Sequence, residues 1–180
     1  QPILTGIDNT DKSLVWIKNR NLNTTHQLFD SVRGGLYPLT TYNKNAQASS
    51  TAMESFNSNG FTAGNDDPIN GTGGYNYVAW NFKAAPGFMD IVTWDGDGTT
   101  KLIPHNLASP VGFAITKVIS TTGSWYCQHI TQVERGLQIK LDESVAEAGF
   151  LSNDIILSDT TQSAQFIQAD DGSLSRNNEK

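Results

Sequence analysis

The chain has 180 residues, close to the size of one domain and long enough to bury a sizeable core. Its 12 Lys and Arg against 18 Asp and Glu leave a net charge of −6, so nothing draws it to a phosphate backbone or an anionic membrane, and nucleic acid is excluded as a favoured partner. One cysteine, Cys127, excludes an internal disulfide and a Cys/His metal site, and no run approaches the ~20 apolar residues of a membrane-spanning helix.

In chain order, Gln1-Pro2-Ile3-Leu4 lacks the basic and apolar regions of a secretory signal, so the opening reads as the start of an excised segment. Runs rich in β-branched and aromatic residues then recur at 13–18, 26–32, 75–82, 88–94, 111–119, 124–130, 137–141 and 154–157, each of strand length. Between them lie Gly34-Gly35, Asn57-Ser58-Asn59-Gly60, Asn70-Gly71-Thr72-Gly73-Gly74, Gly96-Asp97-Gly98 and Thr121-Thr122-Gly123, where Gly and Asn supply positive φ at little cost. Two stretches, 46–56 and 142–148, favour helix formers, and Asp142 is placed to cap the second, so one or two short helices are expected. The expected domain covers 1–168, and the polar segment 169–180 has too little to bury and reads as a flexible tail or linker. Charged residues make up only 17% of the chain, which suits a turn-rich β protein with an amide- and hydroxyl-covered surface.

The two halves are related. Leu14-Val15-Trp16-Ile17-Lys18 and Phe113-Ala114-Ile115-Thr116-Lys117 differ in position by 117 − 18 = 99, and the same offset carries 27–30 onto 126–129. After a two-residue shift, Gly35-Leu36 falls on Gly136-Leu137. A strand, polar loop, second strand and glycine corner repeated twice predicts two halves of one sandwich that bury their apolar faces against each other.

The segments 14–20, 26–34, 55–61, 77–84 and 103–107, taken in order, carry a resemblance. Leu14-Val15-Trp16-Ile17-Lys18-Asn19-Arg20, Tyr77-Val78-Ala79-Trp80-Asn81-Phe82 and Ile103-Pro104-His105-Asn106-Leu107 are its clearest parts. Over roughly 10–155 the chain resembles a domain of uncharacterised function found in structural proteins of marine and cyanobacterial bacteriophages. The resemblance implies an all-β fold, a jelly-roll-like, concanavalin-like antiparallel β-sandwich, placed in a tail fibre or other virion surface protein. Two departures stand out: Pro110-Val111-Gly112-Phe113-Ala114 replaces an extended strand, and Thr116-Lys117-Val118-Ile119 lacks the Asn-Arg of the first half. The family brings no catalytic residues to carry over.

Few constellations suggest chemistry. Asp95-Gly96-Asp97-Gly98 has closely spaced carboxylates but Asn106 where an EF-hand loop needs Glu, and Asn65-Asp66-Asp67 reads as a solvated acidic loop. His26, His105 and His129 lack the neighbours of a triad or a nucleophile elbow, and His105, following Pro104, reads as a turn residue. Trp16 and Trp80 alternate with apolar neighbours and read as core. Trp125 and Tyr126, beside a Thr/Ser/Gly loop, and Trp94, before the acidic loop, are the candidates for stacking on a glycan. The expectation is therefore a non-enzymatic virion module without cofactor or metal, acting by display and attachment, with capsid decoration and lectin-like glycan binding as alternatives. Its partners would be other virion proteins, further copies of itself, with a trimer expected from fibre symmetry, and a host surface glycan. A polysaccharide-degrading enzyme would instead need two facing carboxylates in a cleft.

Overall fold

The structure, a computed structural model, describes residues 1–96, 101–130, 137–144, 148–149, 155–156 and 163–166. Among these residues the chain is all-β: every strand pairing is antiparallel, and the single helix is one turn long. The expected tail at 169–180 lies outside the described residues. The chain divides into two compact units, one of Gln1–Tyr42 with Gln47–Ala84, the other of Asn43–Ala46 with the described residues from Ala85 onward.

The first unit contains β1 (Pro2–Leu4), β2 (Ser13–Asn19), β3 (Gln27–Asp30), β4 (Leu39–Thr40), β5 (Met53–Asn57), β6 (Gly60–Ala63), α1 (Asp67–Asn70) and β7 (Tyr77–Lys83). They form two sheets, ordered β1-β6-β5 and β4-β3-β2-β7. Strict alternation along β2 sends Ser13, Val15, Ile17 and Asn19 inward and leaves Leu14, Trp16 and Lys18 half-buried on the outer face. Val15, Ile17 and Phe29 from one sheet meet Met53, Phe61 and Ala63 from the other, and Ile69 of α1 joins them. Burying each of these larger side chains contributes about 1.5–3 kcal/mol, which makes this seam the source of the unit's stability.

At the end of β3 the carboxylate of Asp30 accepts from the Arg33 backbone N–H at 2.8 Å and from Arg33 Nε at 2.6 Å, while Arg33 Nη1 reaches the Tyr37 carbonyl at 2.8 Å. Both side chains of this ion pair are largely buried, so each charge depends on the other. Gly34, at φ 91, makes the turn that brings them together.

The helix expected over 46–56 is replaced by a loop and then by β5. The cause is the turn that follows: Asn57 pairs with Gly60 across a two-residue loop, and Gly60 adopts φ 115 with its Cα against the carbonyl of Ile3, where an added Cβ would lie 2.0 Å away. Hairpin closure onto β6 and then β1 outweighs the helix preference of the preceding residues. Of the helix expected over 142–148, residues 145–147 lie outside the described residues, and the described ends are not helical. Asp142 accepts from the Trp125 backbone N–H at 2.8 Å and sits in a turn, and Ala148 begins a strand.

The second unit contains β8 (Lys101–Pro104), β9 (Phe113–Lys117), β10 (Trp125–His129), β11 (Leu137–Lys140), β12 (Ala148–Gly149), β13 (Ile155–Ile156) and β14 (Ser163–Phe166). Their sheets run β12-β11-β10-β9 and β13-β14-β8. Ile103, Val111 and Tyr126 form its core, with Trp94, Leu107 and Ala114 packed against them. Each unit thus closes a core of its own. The strand expected over 88–94 is irregular. Gly87 N–H donates to the Leu107 carbonyl at 2.6 Å and Asp90 accepts from Asn106 N–H at 2.7 Å, so the segment straps onto the 105–107 turn instead of joining a ladder.

The 99-residue offset survives as geometry. Leu14 pairs with Asp30 and Ile17 with Gln27; moved by 99, these become the observed pairs Phe113 with His129 and Thr116 with Tyr126. The remaining strands follow the same order. The first strand of each unit, β1 or β8, pairs with β6 or β14, which pairs with β5 or β13. The units differ at the edges of the larger sheet, where the first adds β7 beside β2 and the second adds β12 beside β11.

Candidate binding surface

The sequence-predicted aromatic candidates do not share an exposed face. Trp125 is 3% exposed and Tyr126 is 7% exposed, and alternation along β10 turns them to opposite sides. Tyr126 joins the second unit's core with the Lys140 ammonium 5.7 Å from its ring centre, and Trp94 is half-buried against the same core. Neither Trp125 nor Tyr126 therefore offers a ring face on which a sugar could stack.

An exposed indole lies on the first unit instead, on a residue that alternation assigned to the core. In β7 the sequence pattern points Val78, Trp80 and Phe82 one way and Asn81 and Lys83 the other. The natural expectation is that the polar pair faces water. The pairing reverses it, because Trp80 stands directly opposite Trp16 and Asn81 opposite the fully buried Val15. Asn81 Nδ2 donates to Thr5 Oγ1 at 2.9 Å and Lys83 pairs with Asp8 at 3.1 Å, so the segment after β1 holds the polar side of this edge strand. The indole of Trp80 is left 44% exposed on the outer face.

Trp80 meets Trp16 edge to face, with ring centres 6.0 Å apart. Trp16 in turn meets the His26 ring at 5.8 Å and donates its Nε1–H to His26 Nδ1 at 3.0 Å. This bond fixes the indole and requires a neutral imidazole with an unprotonated Nδ1. His26 is held below the ordinary imidazole range by partial burial and then by the nearby Lys18 ammonium. Lys18 is itself anchored, donating to the carbonyls of Asn19, Leu22 and Thr24 at 2.8, 3.2 and 2.8 Å, which folds the β2–β3 loop beside the aromatic pair. A rigid, partly exposed indole on a flat sheet face can stack on an apolar or sugar ring. It has no part in proton transfer or nucleophilic attack.

The remaining sequence candidates have local roles. His105 is buried and its Nδ1 accepts from Leu107 N–H at 3.3 Å, and His129 is exposed at the end of β10, opposite Phe113. Asp66 stands before α1 and its carbonyl accepts from Ile69 and Asn70 N–H, while Asp97 and Gly98 lie outside the described residues. Among the described residues no three His, Cys, Asp or Glu converge as metal ligands.

Together these features define an antiparallel β protein whose most distinctive surface is an aromatic patch on an outer sheet face. The chain belongs to the DUF7483 family, a domain of unknown function, whose model matches residues 3–180. No curated protein and no solved structure matches it.

Proposed function

We propose that the chain is a non-enzymatic virion surface module, part of a tail fibre or host-adhesion appendage, which acts by assembly and attachment. The resemblance of the ordered motifs between 14 and 107 to bacteriophage structural proteins supports the virion setting. The observation that carries the attachment reading is Trp80, a large indole held 44% exposed by Trp16 and His26. Buried anchors with a rigid aromatic at the surface are the usual make-up of a binding hot spot. The ligand class that suits it best is a host surface glycan, whose apolar ring face stacks on indole. This moves the lectin-like reading from Trp125 and Trp94 to Trp80.

The test is binding of fluorescently labelled chain to bacterial cells and to a glycan array, compared with Trp80→Ala. Saturable binding that falls at least tenfold in the variant supports the reading. Equal binding by both proteins, or release of reducing ends from the polysaccharide, overturns it.

A further inference from the structure

The Trp80 surface rests on a short series of contacts that ends in a titratable group. Trp80 packs edge to face on Trp16, with ring centres 6.0 Å apart, and Trp16 Nε1–H donates to His26 Nδ1 at 3.0 Å. With Nδ1 accepting, the neutral imidazole carries its proton on Nε2, and a second proton has only Nδ1 to enter. That proton sets an N–H against the indole N–H, which ends the bond and pushes the two rings apart. The surroundings of His26 strengthen the effect. Ile17 pairs with Gln27, so the next level of the sheet brings His26, Lys18 and Val78 into one row. On the other side β4 pairs with Gln27 through Thr40, and its two residues, Leu39 and Thr40, do not titrate. Lys18 is the charged group that bears on the ring, and its ammonium is pinned by the carbonyls of Asn19, Leu22 and Thr24 at 2.8, 3.2 and 2.8 Å. An imidazolium would face this fixed cation in place of the neutral ring that the indole needs.

We propose that His26 is the positioning residue of the Trp80 surface and makes attachment acid-sensitive, since neutral imidazole holds Trp16 beneath Trp80 and protonation at Nδ1 releases both rings. The inference rests on the attachment reading and adds the condition under which the surface is competent. Burial and then Lys18 hold His26 below the ordinary imidazole range, so the surface is intact at neutral pH and is lost as the pH falls below about 6.5. Linkage makes the relation reciprocal: a sugar ring stacked on Trp80 favours the neutral imidazole, and its release takes up a proton.

The glycan array of the attachment test, read with labelled chain at intervals between about pH 5 and pH 7.5, measures this, with circular dichroism reporting the fold at each pH. Wild-type binding is expected to fall about fivefold or more towards the acid end, the worth of one hydrogen bond. His26→Ala is expected to bind weakly at every pH. His26→Gln, whose amide oxygen accepts without titrating, is expected to recover most of that binding and to lose the slope. Trp16→Phe keeps a ring beneath Trp80 but has no N–H to give, and its profile is expected to be flat as well. A flat wild-type profile, or a wild-type slope retained in His26→Gln or in Trp16→Phe, overturns this inference and leaves the attachment reading standing. Equal binding by wild type and Trp80→Ala overturns the attachment reading and this inference with it.

Discussion

His26 governs the aromatic patch through one nitrogen. Its folded-state proton affinity is lowered, so the unfolded chain binds the proton more readily, and the contribution of this group to stability is complete above the ordinary imidazole value of about 6.5 and is lost as the pH falls below it. The prediction is that the Trp16 indole N–H resonance shifts together with the His26 ring resonances, at a midpoint below 6.5, because protonating Nδ1 ends the bond between them. Independent titration of the two signals would show that the bond does not hold the indole. For Trp80→Ala, loss of one edge-to-face contact is expected to cost about 1 kcal/mol of stability, read by urea unfolding, so a larger loss of binding belongs to the surface and not to the fold.

Turns and corners decide which segments become elements, and here the predictions are sharper. Gly60→Ala sets a Cβ against the Ile3 carbonyl at a positive φ, and is expected to destabilise by about 2 kcal/mol or more while breaking both the β5–β6 hairpin and the β1 pairing. Asp30→Ala strands the buried Arg33 guanidinium and is expected to cost about 3–5 kcal/mol in denaturant unfolding. Strands β2, β3, β7, β9, β10 and β11 were legible because they lie in dense runs of apolar, β-branched and aromatic residues. Strands β1, β4 and β8 were not, since each offers only one or two apolar residues beside a proline, too few to make a run. The inverted β7 was hidden for a related reason: alternation shows that two faces differ but not which one turns inward. That choice is made by partners far away in sequence, Asp8 and Thr5 for the polar side and Trp16 for the apolar one. Trp80 was therefore visible as a residue and misplaced as core.

Across the whole chain the internal repeat was the most informative feature of the sequence, because an offset of 99 fixes strand identity and register together. Where the copies diverge, the second is the poorer fit. Phe29, fully buried at the centre of the first unit, corresponds to Gln128, equally buried but with neither amide atom partnered among the described residues. Replacing Gln128 with Leu is expected to raise stability by about 1–3 kcal/mol, since an unsatisfied amide is exchanged for an apolar group of similar size. A lower melting temperature in that variant would mean that the amide is satisfied in solution. The same comparison explains why the aromatic candidates of the second half misled: Trp125 corresponds to His26, at the foot of the hairpin, where the second unit seals the position instead of exposing it.

The sealing of β10 reaches its thiol as well. Cys127 is 7% exposed, and burial pushes its proton affinity up to about 11, so almost no thiolate exists near neutral pH. A chain with one thiol, buried and protonated, makes no disulfide within itself, so its fold needs no oxidative maturation and suffers no scrambling. It would pass from a reducing cell interior into oxygenated water with its thiol unchanged.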